Sequence, residues 1–290
     1  LVKGRVRDAL LTSVFIAVGG IARWQLLFIG GMLFGFFLLY RLLTDHSTRT
    51  RRNLRLLFLV AFVSLLLMAP FALPVAASQV TRTQTQVEEL FRSLDRPADV
   101  LAYIVPSQIL TIWGPLVGSL PERLQFNHDQ MEFLGLTTLA LAFYGSLKNW
   151  KTARFWIFIA VFYILLALGP TLWAGGKHYP QVPLPYRWVE ELFFIRIQRA
   201  PHRFNAFLSL PVAMLAALGV AALLQRVRAV KFYQNNPLAR SSHPSPPPET
   251  ERGQGRGLST VLVLVLAVLI LAEYSQLPYP TARASLPAWY

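Results

Sequence analysis

Long apolar runs broken by short polar clusters dominate this chain, and the length of the runs decides its class. The hydrocarbon core of a bilayer, roughly 30 Å thick, takes about 17–25 helical residues to cross. Six stretches reach or approach that length: residues 24–40, 56–73, 131–147, 155–174, 204–224 and 258–274. Each is rich in Leu, Val, Phe and Ala, and the acids that touch them, Glu132 and Glu273, stand at their ends. A seventh stretch, 6–22, has a clean core of only 14 residues, 9–22. At 1.5 Å per residue that core covers about 21 Å. It crosses if Arg7 and Arg23 snorkel to the two interfaces, and otherwise lies as a re-entrant or interfacial helix.

Local signals place the ends of these runs. Pro70 and Pro74 are expected to close the stretch 56–73, Gly169-Pro170 lies near the end of 155–174, and Pro211 should kink 204–224. Trp24, Tyr40, Trp150, Trp156, Trp173 and Tyr274 fall at or beside the predicted ends, where amphipathic rings prefer to sit. The expected fold is therefore all-α: a polytopic helical bundle of about seven spans, with a membrane domain over 1–234. Residues 235–257, with the run Ser241-Ser242-His243-Pro244-Ser245-Pro246-Pro247-Pro248, read as a disordered linker before the last span. Two partly helical loops, 74–130 and 175–203, are too long to be simple turns. In the first, the segment from Pro97 through Trp113-Gly114-Pro115 is apolar and Pro-punctuated, as expected of chain packed along a membrane surface. Because it opens on Leu1 and stops at Tyr290 soon after an apolar run, the chain reads as a piece of a longer protein, with 275–290 beginning an extracytoplasmic segment.

Composition sharpens this picture. Charged residues are 14% of the chain, against about 25% in soluble domains. Apolar residues are 54% and the mean hydropathy is +0.44, which excludes a water-soluble globular enzyme. The net charge of +14 is unevenly spread. With seven crossings and the N-terminus inside, the inner side holds 17 of the 28 Lys and Arg but only 4 of the 14 Asp and Glu. Removing the first crossing would divide the basic residues equally between the sides. The positive-inside rule thus favours seven crossings, N-terminus in and C-terminus out. With no cysteine, the chain has no disulfide, thiolate metal site or thiol nucleophile. It has no Gly-x-x-x-x-Gly-Lys loop for a nucleotide, and the basic inner loops fit anionic lipid rather than nucleic acid.

Against that background one basic cluster is out of place. Arg196, Arg199, His202 and Arg203 lie on the outer side just before the stretch 204–224. Guanidinium forks match phosphate oxygens, and a helix start beside them adds free N–H groups, so the cluster suits a lipid phosphate at headgroup depth. Ordinary headgroup binding, or pairing with Glu190 and Glu191, would use the same residues. Asp99, Asp129 and Glu132 are outer-side carboxylates available as general base or metal ligand. His128, Asp129 and Glu132 have loose metal-ligand spacing, which is compatible with a divalent metal but assigns none.

The outer loops also carry a resemblance. Asp99-Val100-Leu101-Ala102-Tyr103-Ile104-Val105-Pro106-Ser107 with Trp113-Gly114, then Leu168-Gly169-Pro170-Thr171-Leu172, look like a family of large bacterial polytopic membrane proteins. Val182-Pro183-Leu184-Pro185-Tyr186-Arg187 and Arg199-Ala200-Pro201-His202-Arg203-Phe204 extend the likeness. That family resembles the C-type (GT-C) superfamily of membrane glycosyltransferases. The resemblance implies a multi-pass protein of the bacterial inner membrane. Its members pass a sugar from a polyprenyl-phosphate donor to an acceptor on the extracytoplasmic face. It places Arg199, His202 and Arg203, with Arg196 adjacent, where the lipid phosphate is held. The family's catalytic acid sits in a first outer loop that would precede Leu1, which leaves Asp99 and Glu132 as candidates for acceptor or metal contacts. Two other readings stand beside this one. A non-catalytic scaffold or assembly subunit needs none of this chemistry. A lipid or polysaccharide transporter needs polar mid-span residues, and the runs offer little beyond Ser64, Thr137, Thr138 and Ser209.

Overall fold

The computed structural model describes residues 5–81, 97–120, 124, 132–192, 195, 201–235 and 256–276. In chain order the elements are α1 (Val6–Thr44), a 3-10 turn His46–Arg49, α2 (Arg51–Thr81), a 3-10 turn Val100–Tyr103 and α3 (Trp113–Val117). Then come α4 (Leu136–Lys148), α5 (Trp150–Ala167), β1 (Thr171–Ala174), β2 (Lys177–Pro183) and α6 (Tyr186–Val189). A 3-10 turn Pro201–Phe204 leads into α7 (Asn205–Asn235), and α8 (Arg256–Glu273) follows. The chain is mostly helical and divides into two compact units.

The first unit takes 1–97, 165–170 and 185–207. Its main feature is an interruption in α1, where Arg23 adopts extended backbone (φ −152°, ψ 75°). A β-carbon placed on Gly20 would lie 2.6 Å from the tip of Leu27, seven residues on. In a straight helix such positions are about 10 Å apart along the axis, so the chain bends sharply at Arg23. The two halves are 6–22 and 24–44. Buried Ser13 and Ser64 link α1 to α2: Ser13 Oγ donates to Ala9 O at 2.9 Å and reaches Val60 O at 3.4 Å, while Ser64 Oγ donates to Ser13 O at 3.4 Å. In an apolar medium such hydroxyls hold helices together by satisfying one another's backbone. At the far end of α1, the Arg49 guanidinium donates to the carbonyls of Leu42 and Leu43, which have no partner inside the helix. Phe58, Phe62, Leu65 and Leu66 of α2 are each more than half exposed. An apolar surface of that size is stable only against lipid or protein, which marks the unit as membrane-embedded.

The second unit takes 98–164, 171–184 and 208–290. Its core is built from Leu141 and Ala142 of α4, Ala153 of α5, and Leu215 and Ala216 of α7, with Leu266 and Ile270 of α8 packed against them. Small residues let the backbones touch. A β-carbon on Gly145 would collide with Leu215 O and Gly219 N, and one on Gly219 would collide with Leu141 O. The hairpin β1–β2 pairs Trp173 with His178 and Ala174 with Lys177. Its turn is Gly175-Gly176, with φ of 62° and 73°, the two positive values that a tight hairpin turn requires.

Several expectations change. Among the described residues four helices are long and apolar enough to cross a membrane: Leu27–Thr44, Arg51–Pro74, Trp150–Ala167 and Pro201–Val227; Thr260–Glu273 is a shorter apolar helix. The fold is not purely α-helical, because the end of the expected stretch 155–174 is strand β1. Gly169 (φ 73°) and Pro170 stop α5 and redirect the chain. The stretch 131–147 starts its helix only at Leu136, after Gly135 (φ 77°), so α4 has 13 residues and Glu132 lies outside it. Pro70 and Pro74 do not close a helix; both sit inside α2. Four residues apart, they share one face, so the missing bonds fall in a single column and the rest of the ladder continues. Pro211 likewise lies within α7. Of the expected linker 235–257, the ends Asn235 and 256–257 belong to α7 and α8, while 236–255, like 277–290 of the expected segment 275–290, lie outside the described residues.

The packing predicts an asymmetry between glycines. Gly219→Val should lower the thermal unfolding midpoint of the purified protein by the equivalent of at least about 1–3 kcal/mol. Gly31→Ala, where a β-carbon meets nothing within 4 Å, should leave it unchanged or raise it slightly, because alanine favours a helix interior. Equal midpoints for the two variants would contradict the backbone contact between α4 and α7.

Candidate functional site

The segment that carries the basic cluster is organised by two buried residues. Pro201 and Phe204 fix the 3-10 turn before α7, and a proline suits such a start because its φ is preset and it needs no N–H partner there. Pro201 lies against Gly169, where a β-carbon would approach its ring to 3.5 Å. His202 and Arg203, between the two anchors, are half-buried. Arg203 Nη1 donates to Gln25 Oε1 at 2.7 Å. Gln25 stands two residues beyond the bend at Arg23, and one turn along α7 the ring of Phe207 packs onto Gly30. The start of α7 is therefore docked on the second half of α1. Gln25 is a neutral amide, and this bond orients the Arg203 guanidinium. Arg196 and Arg199 lie outside the described residues.

Beside this junction runs a cleft of about 890 Å³, lined by both halves of α1, by α2 and by Phe207. Its walls are overwhelmingly apolar, with Ile16, Leu27, Phe34, Leu57, Leu65 and Met68 among them. Gly19, Gly30 and Gly31 widen it, and a β-carbon on Gly19 or Gly31 would meet open space. The charged residues on its lining are Arg5, Asp8 and Arg23. The volume falls within the range of small-molecule pockets, about 300–1,000 Å³. A long apolar trough with a guanidinium at the bend suits an amphiphile with an anionic head.

The carboxylates do different work. Asp99 is buried and accepts from three backbone N–H groups: Leu101 at 2.8 Å, Gly175 at 3.0 Å and Gly176 at 2.8 Å. It caps the 3-10 turn Val100–Tyr103 and ties that turn to the hairpin. Ionised carboxylates are strong acceptors, and such bonds are about twice as strong as neutral ones. The geometry gives Asp99 a bracing task. Glu132 is buried in the extended run before α4, four residues short of the helix it was expected to open. Glu273, also buried, accepts from the N–H groups of Leu136 (2.6 Å) and Thr137 (3.1 Å) and so caps α4 from the end of α8. That cap is not readable from local sequence, because donor and acceptor are 137 positions apart.

Among the described residues no group of three or more His, Asp or Glu stands close enough to hold a metal. His128 and Asp129 lie outside them. His178 bonds Thr171 Oγ1 at 2.7 Å and stacks on Trp173 at 4.6 Å, which makes it part of the hairpin. Asp99→Ala should strand three N–H groups, each worth about 1 kcal/mol or more. Hydrogen exchange at Gly175 and Gly176 should rise at least tenfold, and unchanged exchange would show that Asp99 is not the brace. Comparison of the chain with protein-family models, curated proteins and solved structures found no match.

Proposed function

We propose that this chain binds a long-chain lipid phosphate from the extracytoplasmic leaflet and works as part of a glycosyltransferase that uses a polyprenyl-phosphate-linked sugar. The observation that carries the binding half is the bond from Arg203 to Gln25, which holds Arg203 two residues from Arg23, a lining residue of the apolar cleft. In this reading Arg203, with Arg196, Arg199 and His202 of the same segment, grips the phosphate, and the cleft takes the chain. The transfer half rests on the sequence resemblance. In such a reaction the bond from the sugar C1 to the phosphate oxygen breaks and a bond from C1 to an acceptor oxygen forms. A base takes the acceptor proton and the lipid phosphate leaves with the bonding electrons. Fixed guanidinium groups favour that step because negative charge grows on the leaving phosphate.

The seven-span topology belongs to the same proposal. A bend at Arg23 suits two crossings, 6–22 and 24–40, that meet at the outer face, the side also expected for Arg203. Helix α4 begins where α8 ends, as Glu273 records, so these two run in opposite directions. Lys148, Lys151 and Arg154 then lie at the far ends, as the positive-inside rule asks of the cytoplasmic side. A multi-pass protein of the bacterial inner membrane fits this arrangement.

Removing one charge-assisted contact costs about 1.5–3 kcal/mol, or about 10- to 150-fold in affinity. Arg203→Ala should therefore weaken binding of a polyprenyl phosphate to the full chain by that factor while the protein stays monodisperse. Arg203→Lys should restore little, because an ammonium lacks the guanidinium fork. Unchanged binding in Arg203→Ala, with altered recovery of partner proteins instead, would replace the enzyme with an assembly subunit.

A further inference from the structure

Residues 97–120 form a segment whose outer surface has no use inside its own unit. Leu101, Ile104, Ile109, Ile112, Leu116 and Leu120 are all exposed, Leu116 at 73% and Ile104 at 53%. The segment's helices have four and five residues. At 1.5–2 Å per residue neither reaches a third of the way across a bilayer core of roughly 30 Å. Yet the segment is firmly tied, and its ties fall on the ends of apolar helices. At its start, Asp99 binds the turn of the hairpin that follows α5. In its middle, Leu134 N donates to Tyr103 O at 3.1 Å just before α4 begins. Further on, Thr111 N donates to Ser275 O at 2.8 Å just after α8 ends. Trp113 packs edge-on against Phe133, which in turn packs against Tyr274.

These contacts fix the level of the segment. It lies at the terminus of α8, whose own outward residues Leu264, Val268 and Leu271 are more than half exposed and apolar. The exposed side chains of 101–120 therefore continue the apolar surface of a helix that needs lipid around it. We infer that residues 101–120 form a preformed, non-spanning shelf seated in the interfacial layer of the membrane, with its apolar side chains in the acyl region. The inference rests on the membrane reading of α8, and it does not depend on lipid-phosphate binding or sugar transfer.

The absence of native cysteine makes the test direct. Ile104→Cys and Leu116→Cys, both at exposed positions, would be spin-labelled in the full chain. Each labelled protein would be placed in phosphatidylethanolamine–phosphatidylglycerol nanodiscs and probed for collision with oxygen and with a water-soluble nickel complex. Val265→Cys on α8 supplies the lipid reference and Lys177→Cys on the hairpin the aqueous one. Labels at 104 and 116 should collide several-fold more with oxygen than with nickel, at a depth shallower than position 265. Nickel access matching position 177 would overturn the shelf. Protection from both reagents, which means cover by protein, would overturn it equally. A nickel-accessible label at 265 would instead defeat the membrane reading on which the inference stands.

Discussion

Polar groups that lose water at a helix end must find partners in the chain itself, and in this protein charged side chains from distant positions supply them. Asp99 takes three N–H groups from two separate turns. Glu273 caps α4 from across the unit, and Arg49 covers the last carbonyls of α1. A bilayer core offers no water to such groups, and each one left bare would cost several kcal/mol. Asp99, Glu273 and Arg49 are employed in this way at the ends of helices and turns. Even the serines follow this logic, since Ser13 and Ser64 answer one another across α1 and α2.

Where polar atoms are scarce, close packing has to come from shape. Gly145 and Gly219 let two backbones meet in the second unit, and Gly30 receives the ring of Phe207 in the first. Gly19 and Gly31 face open space and leave a cleft in place of a contact. One residue type thus does two jobs: it closes the core of one unit and opens a trough in the other. The bend at Arg23 gives that trough a basic residue at the point where α7 docks through Arg203.

Run length made the apolar helices legible in the sequence, because crossing a bilayer needs a fixed number of residues whatever the fold. Helix limits were less legible, for reasons that can be named. The run 155–174 looked continuous because Thr171, Leu172, Trp173 and Ala174 are as apolar as the helix before them; Gly175-Gly176 was the available signal for a hairpin. The start of α4 depends on Glu273, which no local pattern announces. Pro70 and Pro74 read as stops because proline usually is one, but a single column of missing bonds does not break a helix of 31 residues. Of the basic cluster the structure describes His202 and Arg203, and it gives Arg203 a neighbour, Gln25, 178 positions away, which no local pattern could show.

The proposed binding is of an anionic headgroup by Arg203, beside an apolar cleft that Arg23 and Phe207 line. The most direct measurement is a density map of the full chain in nanodiscs loaded with a polyprenyl phosphate. The account predicts a phosphate peak within hydrogen-bond distance of Arg203 and continuous chain density between the halves of α1 and α2. A cleft filled by another helix, or a lipid phosphate bound with Arg203 turned away from it, would contradict it.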